Sequence, residues 1–438
     1  MIVILGGGPA GRLASIRLAS AGKQVTLIER GGIGGQCLHS GCMPVCALND
    51  VARHIHAARE LRDLGVVDEV PLPDFPVLLR KMGEIQQKIA SILDEETRSA
   101  GVDIIYGRTG RLSGKTAWAG EELLKADAVI AATGSRPFVP DIPGIDLPGV
   151  FTSRTLPAMR GLPGKMAIIG GSVVAAEFAY IFSSFGCDVT ILSRSRFLKD
   201  TDRHLRALAI KELAGVTIRE NTPVTSIIGK DRVTAILTPS GELDAGAVFL
   251  AAGLVPNSDV LDGVKKGPLG EVVIDNRMRT SVADVYACGD VAGPPYLTPV
   301  ARQQGIVAAD NILGIPRTMD YENIPRSISL THELASCINE TDGMGSLVIP
   351  GPAGPGSFWS VPAGQTGLAK VIFEPESGKL RGICAAGPGG GLIAGYMAFL
   401  MKEHFSVHDF EEFIEVHPST DGVYGLAKYA SSVLKKRR

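Results

Sequence analysis

Cysteine is scarce in this chain of 438 residues: seven in all, too few and odd in number for a disulfide scaffold. Reduced thiols are therefore the default, and their spacing matters more than their count. An imbalance of charge is missing too, with 44 Lys and Arg against 46 Asp and Glu for a formal net charge of −2. No global basic field draws it to nucleic acid or an acidic membrane, and neither is expected as a partner. Only 21% of residues are charged while 45% are hydrophobic, which excludes a largely disordered chain and predicts two or three packed units. The most apolar stretch, residues 166–186, is interrupted by Gly170, Gly171, Ser172 and Glu177. That pattern reads as a strand, a tight turn and a buried helix rather than a membrane span. The chain opens MIVILGGG, without the basic leader and cleavage site of a secreted protein, so a cytoplasmic location is expected. The closing Lys435, Lys436, Arg437 and Arg438 read as a solvated tail. What the chain has in plenty is glycine, 53 residues, with 27 prolines and no collagen-like period, the mark of tight turns and close backbone approaches.

Those glycines concentrate in a repeated design. Residues 1–30 and 165–194 each read as a short apolar strand, a glycine turn, a helix and a second strand. This is a βαβ dinucleotide-binding signature, in which glycines let a phosphate reach the positive end of the helix. The first turn carries Gly6, Gly8 and Gly11, with Glu29 at the end of the following strand, placed to bond an adenosine ribose. The second carries Gly170, Ser172 and Ala175, with serine in place of the middle glycine. Two such units imply two nucleotides. Between them, residues 50–100 read mostly as helix with a proline-rich break over 70–76, and 137–144 reads as a linker. A helix is expected to begin near Pro299, and from about Tyr321 strand-like runs precede two helices.

After the first unit comes GGIGGQCLHSGCMPVCALND, placing Cys37 and Cys42 in a glycine-rich stretch that opens a helix. Half of a metal site, structural thiols and a redox pair are all open readings. The spacing is not usual for zinc and no second ligand pair is near, while a helix N-terminus stabilises a thiolate, so the redox pair fits better and no metal is expected. Of the other histidines, His54 and His56 fall on a predicted helix. His404 and His408 read as an i, i+4 pair on a helix surface. His39, between the two cysteines, reads as loop surface, with lowering of a thiol pKa as its alternative.

The GGxCxxxGCxP stretch, the two dinucleotide turns, ATG at Ala132–Gly134, YACGD ending at Asp290, LTPVA at Leu297–Ala301 and a late His-Pro together resemble the flavoprotein disulfide reductases over essentially the whole chain. That family includes dihydrolipoamide dehydrogenase, glutathione reductase and mercuric reductase. The resemblance implies an α/β fold of two Rossmann-like nucleotide-binding domains plus a C-terminal α+β dimerisation domain. It divides the chain into 1–144 and 259–318 for FAD, 145–258 for NAD(P) and 319–438 for the interface of a homodimer. FAD would be bound by Gly6, Gly8, Gly11, Glu29, Thr133, Gly134, Asp290 and Thr298, and the nicotinamide nucleotide by Gly170, Ser172 and the residues around them. Cys37 would be the thiol that meets substrate and Cys42 the one that contacts flavin. His417 of the other subunit would be the acid and base beside Cys37.

Several positions depart from the family. Cys46 stands where a lysine beside the flavin is usual, Val45 replaces a serine or threonine, and Glu177, which would pair with that lysine, is left without its cation and is expected to hold a proton. The run GGSVVAAE is locally like mercuric reductase, but the leader domain and terminal cysteine pair of that enzyme are absent, and its activity is not expected. After the second unit's second strand, Arg194 and Arg196 occupy a region where NADH-specific proteins place a carboxylate, so NADPH is expected over NADH. The family's glutamate behind the histidine would fall at Gly422. The nearest acid, Asp421, would be rotated away on a helix begun after Pro418, so His417 is expected to have no carboxylate in hydrogen-bond reach. The leading expectation is electron flow from NADPH through FAD to Cys37 and Cys42 and on to a disulfide or related sulfur substrate. The alternatives are a diaphorase or oxidase passing electrons from flavin to a quinone or oxygen, and a flavin-binding structural or sensing protein without turnover.

Overall fold

A computed structural model describes residues 1–339, 345–349, 360–361 and 366–437. The first apolar strand, Ile2–Leu5, lies at the centre of a parallel five-stranded sheet, flanked by Val25–Glu29 and then Val102–Tyr106 on one side and by Ala128–Ala131 on the other. Strands covered on both faces read as continuous apolar runs, and all four residues of Ile2–Leu5 are buried. Its fifth strand, Val285–Ala287, arrives only after the whole second unit has been built, so the chain leaves the first unit and returns to it. The helix that follows, Thr298–Ile312, packs on Pro9–Ser20 so closely that a Cβ at Gly305 would stand 2.2 Å from the Ala10 carbonyl oxygen. Only glycine fits there.

The second unit repeats the design in a parallel sheet ordered 216–219, 188–192, 165–169, 247–250 and 150–152. The stretch that looked most like a membrane span is strand Lys165–Ile169, a glycine turn and helix Val173–Ser184. Its apolar residues fill a core in which the rings of Phe178 and Phe249 lie 4.2 Å apart. No helix among the described residues is long and apolar enough to cross a membrane. The proline-rich break separates helices Cys42–Asp63 and Phe75–Ser99.

The last block is an antiparallel sheet ordered 326–329, 333–338, 380–387, 368–373 and 345–349, covered by helices Gly390–Lys402 and Gly422–Arg437. An ion pair of Lys370 with Asp202 at 2.8 Å and a hydrogen bond between His332 Nδ1 and Glu212 Oε1 at 2.7 Å fasten this block to the two ends of helix Arg203–Glu212 in the second unit. Two expectations are corrected here. Lys435 and Lys436 belong to the last helix, with Lys435 paired to Glu411 at 2.6 Å, because that helix has an apolar face to bury; Arg438 lies outside the described residues. His404 and His408 share no helix: helix Gly390–Lys402 has ended, and His408 lies in a short 3-10 turn bonded to Ser431.

Candidate active site

The first glycine turn, the start of helix Cys42–Asp63 and the start of helix Thr298–Ile312 converge on a cavity of about 460 Å³. Its backbone geometry requires glycine at the turn. Gly6 has φ of 107°, and a Cβ there would lie 2.3 Å from the Ala132 carbonyl oxygen; at Gly11 it would lie 2.0 Å from that of Gly6. Glu29, at the end of the next strand, accepts from Gly7 N–H at 2.6 Å and Gly31 N–H at 2.7 Å, which fixes its carboxylate on the cavity wall. Thr133 is held by Asn257 through reciprocal bonds of 2.8 and 2.9 Å, and Gly134 opens onto the cavity with nothing within 4 Å of where a Cβ would stand. Asp290 accepts from the Ser135 hydroxyl at 2.6 Å, and burial pushes its carboxyl up.

Both thiols line this cavity. Cys37 sits on the short helix Gly35–His39, and Cys42 is the first residue of its own helix, where the backbone dipoles favour negative charge. A hydrogen bond from Cys37 holds Cys42 well below the usual thiol range against the opposing effect of burial, aided by Thr298, whose hydroxyl is 3.6 Å from the sulfur. The same bond, with burial, pushes Cys37 up. The two thiols are thus driven in opposite directions, Cys42 toward the thiolate and Cys37 toward the protonated form. His39 lines the cavity, but its Nε2 is 3.0 Å from the Ile33 carbonyl oxygen, and Arg302, one turn along from Thr298, is instead the cation that lowers Cys37.

Behind the cavity, Glu177 has no cationic partner in an ion pair among the described residues. Glu177 accepts from Ser329 N–H at 3.0 Å, and burial pushes its carboxyl up to about 7. The nearby guanidinium of Arg53 is committed to the Leu330 carbonyl at 2.6 Å and the Ser329 hydroxyl at 3.0 Å. Neither Glu177 nor Cys46, which is exposed one helical turn beyond Cys42, lines this cavity.

The second unit has its own cavity, about 650 Å³, at the corresponding turn. Gly170, Ser172, Arg194 and Arg196 line it, as does Lys199. Strand register identifies a residue that sequence reading passed over. Leu5 pairs with Ile28, one residue before Glu29, and Ile169 pairs with Leu192, one residue before Ser193. Ser193 is therefore the positional equivalent of Glu29. A Cβ at Gly171 would lie 2.1 Å from its hydroxyl, just as one at Gly7 would lie 3.1 Å from the Glu29 carboxylate.

The expectation for His417 fails. Its Nδ1 lies 2.7 Å from Oδ2 of the buried Asp421. A helix begun after Pro418 would have rotated Asp421 away, but residues 417–420 form a bend and the helix begins only at Gly422, which lets the shorter side chain fold back. Within a single chain His417 lines a separate cavity with Phe413, Glu415 and Lys428, and not the one that holds Cys37.

Residues 1–305 match a protein-family model described as pyridine nucleotide-disulphide oxidoreductase. Among curated relatives, dihydrolipoyl dehydrogenase of Bacillus subtilis is 28% identical over 95% of both chains. Mercuric reductase of Shigella flexneri is 28% identical over 99% of this chain and 81% of its own length. The soluble pyridine nucleotide transhydrogenase of a Marinomonas strain is 28% identical over 97% of each. In solved structures the fold is that of the HOCl-induced flavoprotein disulfide reductase RclA from Escherichia coli, with a TM-score of 0.86 at 23% identity over the full length of both chains. LpdA from Mycobacterium tuberculosis gives 0.87 at 22% over 99% of both. At these identities the structural matches speak for the fold.

Proposed function

This chain belongs to the pyridine nucleotide-disulphide oxidoreductases, a family of flavin-dependent enzymes, and from that footing we propose that it is a homodimeric, cytoplasmic reductase moving electrons from NADPH through FAD to Cys37 and Cys42 and on to a disulfide or related sulfur substrate. The two thiols together on the wall of the first cavity, Cys42 at the start of its helix, carry this reading, and their opposite shifts ready one sulfur for the flavin side and the other for substrate. The first cavity fits a flavin dinucleotide. Gly6, Gly8 and Gly11 would permit close backbone contact with its phosphates, Glu29 would suit the adenosine ribose, and Thr133, Gly134, Asp290 and Thr298 would help hold it along the wall. When bound, FAD supplies two-electron transfer between nicotinamide and disulfide.

Arg194 and Arg196 hold the 2′-phosphate of NADPH in the second cavity, where Ser193 stands at the strand end in place of a carboxylate, and Gly170 and Ser172 form the phosphate turn. Cys42 keeps its negative charge through Cys37, Thr298 and the helix terminus. Cys37 must lose its proton to attack, and His417 of the partner subunit, oriented by its own Asp421, is the base. The Cys37 thiolate attacks one sulfur of the substrate disulfide, forming a mixed disulfide and releasing a thiolate that takes up the proton. Cys42 then attacks Cys37, closing the internal disulfide and releasing the second thiol, and two electrons from NADPH reopen it.

Glu177 without an ion pair and Cys46 in place of a cation favour a second reading, a diaphorase or oxidase that passes electrons from flavin to a quinone or oxygen. Steady-state turnover with NADPH over a panel of small disulfides, set beside a quinone and oxygen, separates the two. Disulfide reduction abolished by alkylating Cys37 supports the first. Quinone turnover indifferent to alkylation, with no disulfide consumed, supports the second.

A further inference from the structure

One cation in the first cavity comes from the second unit. Strand Val150–Thr152 is the edge of the second sheet, paired with Ala247–Leu250. The turn after it is closed by Thr155, whose hydroxyl accepts from Thr152 N–H at 2.8 Å and whose N–H donates to the Thr152 carbonyl at 3.1 Å. The buried Leu156 anchors the short 3-10 turn that follows. Arg154 is left at the tip and reaches across to the first unit, where its Nη2 donates to the Ser135 carbonyl at 2.9 Å. Ser135 in turn donates its hydroxyl to Asp290, so a chain of bonds runs from the second unit to the heart of the first cavity.

Arg154 lines that cavity together with Arg30, the residue after Glu29. Among the described residues neither forms an ion pair, whereas their neighbour Arg136 is matched by Asp259 at 2.9 Å. Burial, with the charges of Arg30 and Arg136, pushes Arg154 down, yet a guanidinium keeps its charge at neutral pH. Two like charges line this cavity, and although the Glu29 and Asp290 carboxylates line it too, neither arginine is paired with one among the described residues, which leaves both free for an anion supplied by the ligand. Planar guanidinium forks bind phosphate oxygens two at a time.

We infer that Arg154, with Arg30, binds the diphosphate of the flavin dinucleotide, so that the second unit completes the cofactor site of the first. The inference rests on the flavin reading above. It assigns a cofactor residue outside the glycine turn, and it makes bound FAD a clasp between the two units.

The test is the rate at which the holoenzyme loses FAD after dilution, followed by the rise of free-flavin fluorescence at low and high salt. Arg154→Gln is expected to lose FAD roughly tenfold faster or more, the effect of removing one charge-assisted pair. Loss from the wild type should accelerate with salt and loss from the variant should respond less, since one of the two screened interactions is gone. Arg154→Lys, which keeps the charge without the fork, falls between them. Arg30→Gln, which leaves the bond to Ser135 intact, should show the same pattern and serves if Arg154→Gln does not fold. A wild type that neither carries nor takes up FAD sinks the flavin reading itself. A wild type that holds FAD, with Arg154→Gln losing it at an equal rate, overturns the inference alone. Faster loss with equal salt sensitivity in both proteins also overturns it, because that is the mark of a structural tether through Ser135.

Discussion

The two nucleotide cavities are built on one backbone plan and differ in what stands at the end of the second strand. In both, the first glycine of the turn lies under a carbonyl from the neighbouring strand end, Ala132 for Gly6 and Ala251 for Gly170, at almost the same distance for a hypothetical Cβ. In both, the next side chain after the paired strand packs beneath the second glycine. That side chain is Glu29 in one and Ser193 in the other. A carboxylate suits a ribose hydroxyl, while a serine followed by Arg194 and Arg196 suits a phosphate. On the proposed reading the shared frame serves dinucleotide binding in general, and one strand-end residue with its neighbours selects which nucleotide binds. The turns also differ in tightness: Gly11 admits no Cβ, whereas Ala175 at the matching place is buried without conflict.

The largest expected effect uncouples the cavities. Cys42→Ser removes the thiolate that resolves the mixed disulfide, so disulfide turnover should fall by at least about a thousandfold, while NADPH still reduces the flavin in single turnover. Retained disulfide turnover would place the redox pair elsewhere.

A smaller effect comes from making the second cavity resemble the first. Ser193→Glu should lower kcat/KM for NADPH by roughly ten- to a hundredfold and shift preference toward NADH, through repulsion of the 2′-phosphate and a new bond to the 2′-hydroxyl. Steady-state kinetics with both nucleotides decide it, and an unchanged ratio would mean that Arg194 and Arg196 do not read the phosphate.

The smallest effect concerns Glu177, on the helix of the second unit that packs against the helix carrying Cys42. Its carboxyl is raised to about 7 in the folded protein. Between its unfolded value, ~4.3, and about 7 the folded state holds the extra proton, so stability declines as pH rises through that window. Glu177→Gln should remove that decline, on the order of 1–3 kcal/mol at pH 8, leaving melting temperature flatter with pH than in the wild type. Parallel pH profiles would show that the carboxyl is not buried uncharged.

The repeated units, the turns, the helix opening at Cys42 and the exposed position of the arginines were legible because each follows from local pattern: apolar runs, glycines and a strand-end charge. The lone carboxyl of Glu177 was legible too, since the absence of a lysine shows in sequence. What stayed hidden depended on contacts across distance or on irregular chain. Ser193 emerges as the counterpart of Glu29 only when the strands are in register. Arg154 comes from a turn assigned to one unit and faces the cavity of another. Asp421 reaches His417 because four residues bend where a helix was expected. Cys46 shares a helix with Cys42, but periodicity did not reveal that it stays outside the cavity lining.

On the proposed reading the second cavity receives NADPH and the first delivers its electrons to Cys37 and Cys42. Anaerobic titration of the oxidised holoenzyme with NADPH, with absorbance recorded and thiols counted by alkylation, tests it most directly. Two electrons should release two thiols, mapped to Cys37 and Cys42, while the flavin stays oxidised and a long-wavelength band from the Cys42 thiolate appears. A flavin bleached by those two electrons, with no thiol released and no such band, would contradict the account.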